Sequence, residues 1–388
     1  MPLKNETDNN YQQMSEFISI RIPRPGPLCL DEAAEPYELM TLVHIKKSLN
    51  AAKSQLDPYN SRSKVDERFK QTWMRFWAIQ DTYRGLKKRV AAEFGAKNVS
   101  NAWLKYWELY NEYKLISHGP LLAFFNAELP GAALCAFMYY TEMHSIPADW
   151  RASSLIRDTS DSTALGDTYG LYEKYKDKWL MGPTNNGDST LLDNIDDFAK
   201  KLGDKVDLYS HDAGIDVGDD FNIQEQLNAK LHLGCALAGF MTMKPGANFI
   251  AKQYTFFETL TWNLIIVYAS MFEEFYICKP VTSRSYNSEI YLVGKNYLGG
   301  DLSVLRRRLK DFNERPIIPN GFLYSIEPTI SVIERAARII FGRQARILID
   351  NIELFKSYSR NLHELDKKTR QSKEELIEKW IQKYMPKK

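Results

Sequence analysis

The middle of the sequence alternates short apolar runs typical of strands with longer runs typical of helices. Between about residue 121 and residue 300, the strand-like runs LLAFFN, KVDLYS, NFIAKQYTFF, FEEFYICKP and SEIYLVG are rich in aromatic and β-branched residues. Helical patterns separate most of them. Strands that alternate with helices are typical of a sheet with helices packed on its faces. The pattern therefore predicts an α/β fold with a doubly wound sheet.

Helical patterns flank this region on both sides. Residues 1 to about 35 are polar and rich in proline, which predicts an irregular arm, and helical periodicity follows to about residue 95. Ser100 or Asn101 is suited to cap the next helix. Beyond about residue 300, the pattern predicts helices only. At 388 residues the chain exceeds the usual size of one domain. The predicted division is a helical N-terminal segment at 1–84, a central domain at 85–300 and a helical extension at 301–388.

Basic residues are concentrated in two segments. The net charge of the chain is only +2, but residues 301–388 hold 19 Lys and Arg against 12 Asp and Glu. Residues 61–100 hold 10 against 4. Two basic flanks would suit a polyanion that approaches from one side. They are equally consistent with ordinary solvated helix faces.

The cysteines and the apolar runs narrow the class of protein. Cys29, Cys135, Cys235 and Cys278 are widely spaced and form no metal-binding pattern, so we expect reduced thiols, a cytosolic-type compartment and no metal. The polar start MPLKNETDNNYQQ predicts no secretory signal. The run Trp262–Phe272 is shorter than the ~20 residues that span a bilayer, so we expect a buried core helix and no membrane partner.

Three ionisable residues interrupt or end predicted strands. Asp212 ends VDLYSHD, Lys252 lies within NFIAKQYTF and Glu289 lies within SEIYLV. Each has an ordinary explanation, such as a turn-capping aspartate or an edge-strand lysine. Brought together at one end of the sheet, they would neutralise one another. A lysine desolvated there would have a lowered pKa and could act as a base near neutral pH.

The turn NAELPGAAL, Asn126–Leu134, is a candidate binding loop. Ligands of α/β sheets bind beyond the carboxyl ends of the strands, and Gly131 would let the backbone approach a ligand closely. Glu128 could pair there with a cationic or hydroxyl group. An ordinary strand-to-helix turn is the alternative explanation of the same pattern.

In their order along the chain, these motifs resemble the FtsJ-like (RrmJ-type) ribose 2′-O-methyltransferases, which include the cap methyltransferases of eukaryotes and poxviruses. SNAWLKYWEL is similar to the motif of the family's first lysine, HDAG to its aspartate motif and PGANFIAK to its second lysine motif. KPVTSRSYNSEIYLV matches KPxxSRxxNSExYLV at every specified position. The resemblance implies a Rossmann-like methyltransferase sheet and the catalytic tetrad Lys105, Asp212, Lys252 and Glu289.

The resemblance also implies S-adenosylmethionine as the cofactor. ELPGAAL stands where cap methyltransferases have an EAPGAF-like loop, although Leu129 replaces a small residue. NNGDSTLL is similar to the segment whose acidic residue reaches the adenine. The residues implied to hold the cofactor are Glu128, Pro130, Gly131, Asp188 and Asp212.

The implied reaction is in-line transfer of a methyl group to a ribose 2′-hydroxyl. Lys252 would be the base, and Lys105 would stabilise the developing oxyanion. Asp212 and Glu289 would orient the two lysines and set their protonation.

The resemblance spans about residues 85–300 and is greatest to the FtsJ-like methyltransferases of African swine fever virus and related large DNA viruses. It implies action on the first transcribed nucleotide of capped viral mRNA, with capping-machinery subunits as partners. The host cytoplasm, a viral factory or the virion would be the location. Arg84–Arg89 and Arg306–Lys310 would hold the RNA backbone. The alternatives are action on ribosomal or transfer RNA, and a non-catalytic RNA-binding protein that keeps the fold.

Overall fold

Seven strands form a single sheet. The structure, a computed structural model of the chain, describes residues 16–25, 38–116, 119–156, 166–215, 222–314 and 327–386. The strands are β1 (Ile18–Ile22), β2 (Leu121–Asn126), β3 (Ala148–Ser153), β4 (Val206–His211), β5 (Met243–Gln253), β6 (Phe272–Lys279) and β7 (Ile290–Tyr297).

The sheet is parallel in one half and antiparallel in the other. Its strand order is β1-β6-β7-β5-β4-β2-β3. Strand β2 pairs in parallel with β3 and β4, and β4 pairs in parallel with β5. Strands β7, β6 and β1 continue antiparallel. The winding reverses between β2 and β4, which is where open α/β sheets bind ligands. The predicted doubly wound α/β fold is confirmed, with an antiparallel edge added.

Helices cover both faces of the sheet and extend beyond it. They are α1 (Met40–Ser54), α2 (Asp57–Val65), α3 (Glu67–Gln80), α4 (Leu86–Phe94), α5 (Asn101–Tyr113), α6 (Ala132–Met143), α7 (Leu171–Lys174), α8 (Leu192–Leu202), α9 (Gln224–Phe240), α10 (Thr259–Ser270), α11 (Ser303–Glu314), α12 (Thr329–Tyr358) and α13 (Leu362–Tyr384). The predicted cap of α5 is confirmed, because Ser100 Oγ accepts a hydrogen bond from the Trp103 N–H at 3.1 Å. The predicted core helix α10 is buried almost throughout, but it ends at Ser270 rather than Phe272.

Two edge strands depart from the sequence-based prediction. The predicted irregular arm at 1–35 is wrong at β1, which pairs with β6 from Ile18↔Lys279 to Ile22↔Phe275. Its isoleucines alternate with polar residues, so Ile20 and Ile22 are buried while the chain adds a row of hydrogen bonds to the sheet edge. Strand β3 was not predicted, because ADWRAS alternates apolar and polar residues but has Trp150 as its only large apolar side chain.

The helices before and after the sheet pack against each other. Trp73 of α3 meets Phe355 of α12 with ring centroids 4.7 Å apart, and Phe76 lies 5.1 Å from the same ring. Leu362 and Leu365 of α13 complete this buried cluster. This cluster joins the predicted N-terminal segment, 1–84, to the predicted C-terminal extension, 301–388. The boundaries at 84 and 300 themselves stay a prediction.

Further expectations concern cysteines, metal and membrane. Cys135, Cys235 and Cys278 are buried and unpaired, and Cys29 lies outside the described residues. Within the described ranges, no group of three or more His, Cys, Asp or Glu side chains is suited to a metal ion. Searching the same ranges finds no helix long and apolar enough to cross a membrane.

Candidate active site

Strand register brings three members of the predicted tetrad to one end of the central strands, where the parallel strands β4 and β5 terminate. His211 of β4 pairs with Ala251 of β5, so the next residues along, Asp212 and Lys252, are neighbours. Gln253 of β5 pairs with Ile290 of β7 in the antiparallel direction. Glu289, which immediately precedes β7, therefore lies at the same end. It belongs to the loop before the strand rather than to the apolar strand itself.

Helix α5, which packs against the end of β4, supplies the fourth member. Tyr106 donates a hydrogen bond to the backbone oxygen of His211 at 3.1 Å, which docks α5 against the end of β4. The neighbouring Lys105 is buried and forms an ion pair with Glu289, with 2.5 Å between Nζ and Oε1. Only 10% of the Lys105 side chain and 14% of the Glu289 side chain are exposed. Water therefore screens this pair weakly.

Lys252 is held by Asp212. Its Nζ donates to the Asp212 backbone oxygen at 2.8 Å and lies 3.3 Å from Oδ1. Burial alone would lower the pKa of Lys252, but the charges of Asp212 and Glu289 outweigh burial and raise it above its ordinary value. The expectation of a lowered pKa at this lysine is therefore wrong. The physical reason is the short distance to Asp212, which favours the ammonium form.

Glu289 is fully ionised at neutral pH. Burial would raise its pKa, yet Lys105 and Lys252 lower it to about 2. Ser283 donates a hydrogen bond to Oε1 at 3.2 Å and helps to orient the carboxylate. The structure thus brings all four predicted tetrad residues together, as two lysine–carboxylate pairs that interact electrostatically.

The predicted cofactor loop follows β2 and leads into α6. Glu128 is buried, and its Oε1 accepts a hydrogen bond from the Leu134 N–H at 2.8 Å. Its Oε2 has no hydrogen-bond partner within the described part of the chain. Burial raises the pKa of Glu128 well above its ordinary range. Pro130 precedes Gly131, which has φ 109°, and a Cβ there would lie 2.3 Å from Leu171 Cδ1.

A second loop brings Asp188 to the same region. A Cβ on Gly187 would lie 2.0 Å from the Ser154 backbone oxygen, so this loop packs tightly against the end of β3. Ser189 donates to Asn126 Oδ1 at 2.8 Å, which ties the loop to the end of β2. Asp188 Oδ1 accepts hydrogen bonds at 2.8 Å from the N–H and hydroxyl of Thr190. The predicted cofactor residues therefore lie around the ends of β2, β3 and β4.

Both basic segments contribute to ion pairs within the protein. Arg306 makes two hydrogen bonds of 2.6 Å to Asp196. Arg89 binds Glu93 at 2.6 Å and Glu378 at 2.8 Å. These two arginines fit the interpretation as helix faces better than they fit RNA binding.

Three residues near the tetrad had no role assigned from the sequence. Lys279 and Glu108 are buried ionisable side chains that hold the loop before β7. Gly214 lies so close to Lys252 that a Cβ would be 3.1 Å from Nζ. Lys279 belongs to the KPxxSR motif and Gly214 to HDAG, so their motifs were visible in the sequence. Glu108 sits three residues after Lys105, with no sequence signal beyond that spacing.

This fold and site are those of a methyltransferase. A family model described as FtsJ-like methyltransferase matches residues 99–297. The chain belongs to the FtsJ-like methyltransferase family, which confirms the resemblance found in its motifs.

Named relatives agree with this assignment. The chain is 36% identical over 372 residues to the probable methyltransferase EP424R of African swine fever virus, covering 89% of this chain and 86% of that protein. It is 27% identical over 343 residues to the mouse protein named cap-specific mRNA (nucleoside-2′-O-)-methyltransferase 2, covering 82% of this chain and 42% of the relative. The Drosophila melanogaster protein of the same name is 26% identical over 325 residues, covering 81% of this chain and 44% of that protein.

Proposed function

We propose that this protein is an S-adenosylmethionine-dependent ribose 2′-O-methyltransferase that acts on the first transcribed nucleotide of capped mRNA. The observation that carries the proposal is the convergence, where the central strands end, of two lysine–carboxylate pairs whose side chains are at most 22% exposed. Deprotonation of a sugar hydroxyl needs a positioned amine and a nearby cation for the developing charge. The names of the mouse and fly relatives support capped RNA as the substrate.

The residues around the β2–α6 loop fit S-adenosylmethionine. Bound there, it would supply an electrophilic methyl group. Glu128 offers a buried carboxylate oxygen that lacks a partner in the described chain and would suit an ammonium donor. Gly131 gives the loop its left-handed turn, and Leu171 occupies the space that a side chain there would need. Pro130, Asp188 and Asp212 complete the set that would hold the cofactor.

The lysines would act on the ribose. The raised pKa of Lys252 favours its ammonium form, which would first donate a hydrogen bond to the 2′-hydroxyl oxygen. To act as the base it must become the neutral amine, so we propose that it loses its proton to solvent water when substrate binds and then takes the hydroxyl proton. Lys105, held by Glu289, would stabilise negative charge on the same oxygen.

We extend the proposal to partners and place of action. Identity of 36% to a viral methyltransferase supports a viral setting, with capping-machinery subunits as partners. The host cytoplasm, a viral factory or the virion is then the proposed location. Lys87, Lys88 and Arg84 are the basic residues that we propose for contact with the RNA backbone.

The direct test is methyl transfer to short RNAs of defined 5′ end. The RNAs are capped, uncapped, and capped with the first ribose already methylated. We expect transfer to the capped RNA, and none to the other two. Transfer to the pre-methylated RNA would move the target to another nucleotide, and equal transfer to uncapped RNA would contradict cap specificity.

A matched pair of variants on β5 tests the site. Lys252→Ala should lower turnover about 10²–10⁴-fold while S-adenosylmethionine still raises the melting temperature. Lys244→Ala is the control, because Lys244 pairs with Asp207 and is 44% exposed near the start of the same strand. Normal turnover by Lys252→Ala would refute the assignment of the base. Absence of both turnover and thermal stabilisation in the wild type would favour a non-catalytic protein.

A further inference from the structure

The loop from Pro280 to Glu289 controls where the tetrad carboxylate lies. It joins β6, which ends at Lys279, to β7, which begins at Ile290. Glu289 is its last residue, and its carboxylate must lie within hydrogen-bond distance of Lys105. A ten-residue connection has many conformations available to it, so something must hold this one in place.

The loop is held at its beginning by a buried carboxylate. Glu108 on α5 accepts hydrogen bonds from the backbone N–H of Val281 at 2.6 Å and of Thr282 at 3.0 Å. It also accepts one from Trp380 Nε1 of α13 at 3.0 Å. Glu108 and Lys105 are three residues apart on one helix, so they share a face. Helix α5 therefore contacts both the start of the loop and its catalytic end.

At its end, the loop is held by a buried ammonium. Lys279 is 6% exposed, and its Nζ donates to the backbone oxygens of Asn287 at 3.0 Å and Glu289 at 2.8 Å. It also donates to Asn287 Oδ1 at 3.0 Å and approaches Ser283 Oγ at 3.4 Å. All of these acceptors belong to the loop itself. The charge of Lys279 thus replaces water as the donor to carbonyl groups that the fold has buried.

A short chain of hydrogen bonds connects this ammonium to the catalytic carboxylate. Lys279 lies against the Ser283 oxygen, and the Ser283 hydroxyl donates to Glu289 Oε1 at 3.2 Å. The same carboxylate oxygen binds Lys105 at 2.5 Å. Lys279 therefore holds Glu289 in two ways. It donates directly to the backbone oxygen of Glu289, and it contacts the Glu289 carboxylate through the Ser283 hydroxyl.

We propose that Lys279 is a positioning residue for methyl transfer, which holds the Pro280–Glu289 loop so that Glu289 orients Lys105. This inference rests on the proposed function, because it assigns a role within the same reaction. Lys279 does not contact substrate. It acts only through Glu289.

The charge on Lys279 is sensitive to its surroundings. Burial lowers its pKa to about 7, with Glu289 opposing that effect and Lys105 and Arg343 adding to it. Whatever its protonation, the Lys279 Nζ lies within 3.0 Å of three oxygen acceptors of the loop, which need a donor there.

The test compares Lys279→Met with the wild type, using whichever RNA the wild type methylates. We expect kcat to fall about 100-fold, as for other misplacements of about 1 Å, with the KM for RNA and the thermal stabilisation by S-adenosylmethionine unchanged. Lys279→Arg should recover part of the loss, because it restores donors. Hydrogen exchange of the 283–289 amides should be faster in Lys279→Met.

A double-variant cycle separates positioning from general damage. If Lys279 acts through Glu289, adding Lys279→Met to Glu289→Gln should reduce kcat little further. Multiplicative losses would overturn the inference, and so would a kcat of Lys279→Met equal to that of the wild type. If Lys279→Met does not fold, Asn287→Ala removes one acceptor and should lower kcat with unchanged KM. An unchanged kcat in Asn287→Ala would then overturn it.

These outcomes are distinguishable from failure of the proposed function. A wild type that methylates no RNA refutes the proposed function, whereas an active wild type with an equally active Lys279→Met refutes only the positioning role. Lys244→Met serves as the control for loss of a lysine, because its ion pair with Asp207 lies near the start of the parallel strands.

Discussion

Replacing Glu289 with Gln should remove a large and pH-dependent part of the stability of this fold. The change leaves the Lys105 ammonium buried without its carboxylate partner at 2.5 Å. The pKa of Glu289 is about 2 against an ordinary 4.5, and that difference corresponds to about 3 kcal/mol at 25 °C. This agrees with the ~3–5 kcal/mol usually lost when one partner of a buried pair is removed.

The sign of the pH dependence follows from the lowered pKa. A carboxyl whose pKa is lower in the folded state stabilises the fold above its unfolded pKa, here 4.5, and loses this contribution as the pH falls toward 2. The wild type should therefore exceed Glu289→Gln by about 3 kcal/mol at pH 7 and by clearly less at pH 3. Urea unfolding of both proteins at pH 7, 5, 4 and 3 measures the difference.

Glu258→Gln is the matched control. Glu258 also pairs with a lysine at 2.5 Å, but the side chains of Lys46 and Glu258 are 31% and 28% exposed. Because water screens that pair, its loss should cost under ~1 kcal/mol. The reasoning is refuted if Glu289→Gln loses no more stability than Glu258→Gln, or if its deficit is the same at pH 3 as at pH 7.

Three glycine and carboxyl variants test the rest of the site. Gly214→Ala places a Cβ 2.5 Å from Tyr254 Oη and 3.1 Å from Lys252 Nζ, so Lys252 should be displaced and turnover should fall about tenfold or more while S-adenosylmethionine still stabilises the protein against heat; lost stabilisation would contradict this. Gly131→Ala combines φ 109° with a contact of 2.3 Å to Leu171, and urea unfolding should show a loss of about 1–3 kcal/mol; an unchanged midpoint would refute it. Burial raises the pKa of Glu128, and Glu128→Gln would bury an amide NH2 without a partner where Oε2 lies, so urea unfolding should show a loss of about 1–3 kcal/mol, while stabilisation by S-adenosylmethionine decreases. An undiminished effect of the cofactor on Glu128→Gln would show that this carboxyl does not bind it.

The strands show where sequence-based prediction succeeds and where it stops. Strands β2, β4, β5, β6 and β7 were predictable because each carries a run of aromatic or β-branched residues. Strand β1 was missed because ISIRI is short and lies among prolines. Its pairing partner, β6, is more than 250 residues away. Such an edge strand is stabilised by pairing with its neighbour in the sheet, and no local sequence pattern reveals that pairing.

The tetrad shows the same limit at the level of chemistry. Lys105, Asp212, Lys252 and Glu289 were recognisable from residue types within motifs, and the strand register explains why three of them meet. The pKa direction of Lys252 was predicted wrongly. Burial was foreseeable from an apolar strand, whereas the 3.3 Å separation from Asp212 was not.

By itself, then, the sequence determined the order of the five central strands, the α/β class and the chemical groups available where those strands end, because these depend on local patterns and side-chain types. Only the tertiary structure decided the antiparallel edge, the direction of the pKa shift of Lys252 and the contacts of Lys279 and Glu108. Those depend on distances between groups far apart in the chain, and electrostatic energies change steeply with distance and burial. The buried ammonium of Lys279 is the clearest case, because its partners are backbone carbonyl groups that carry no sequence signature.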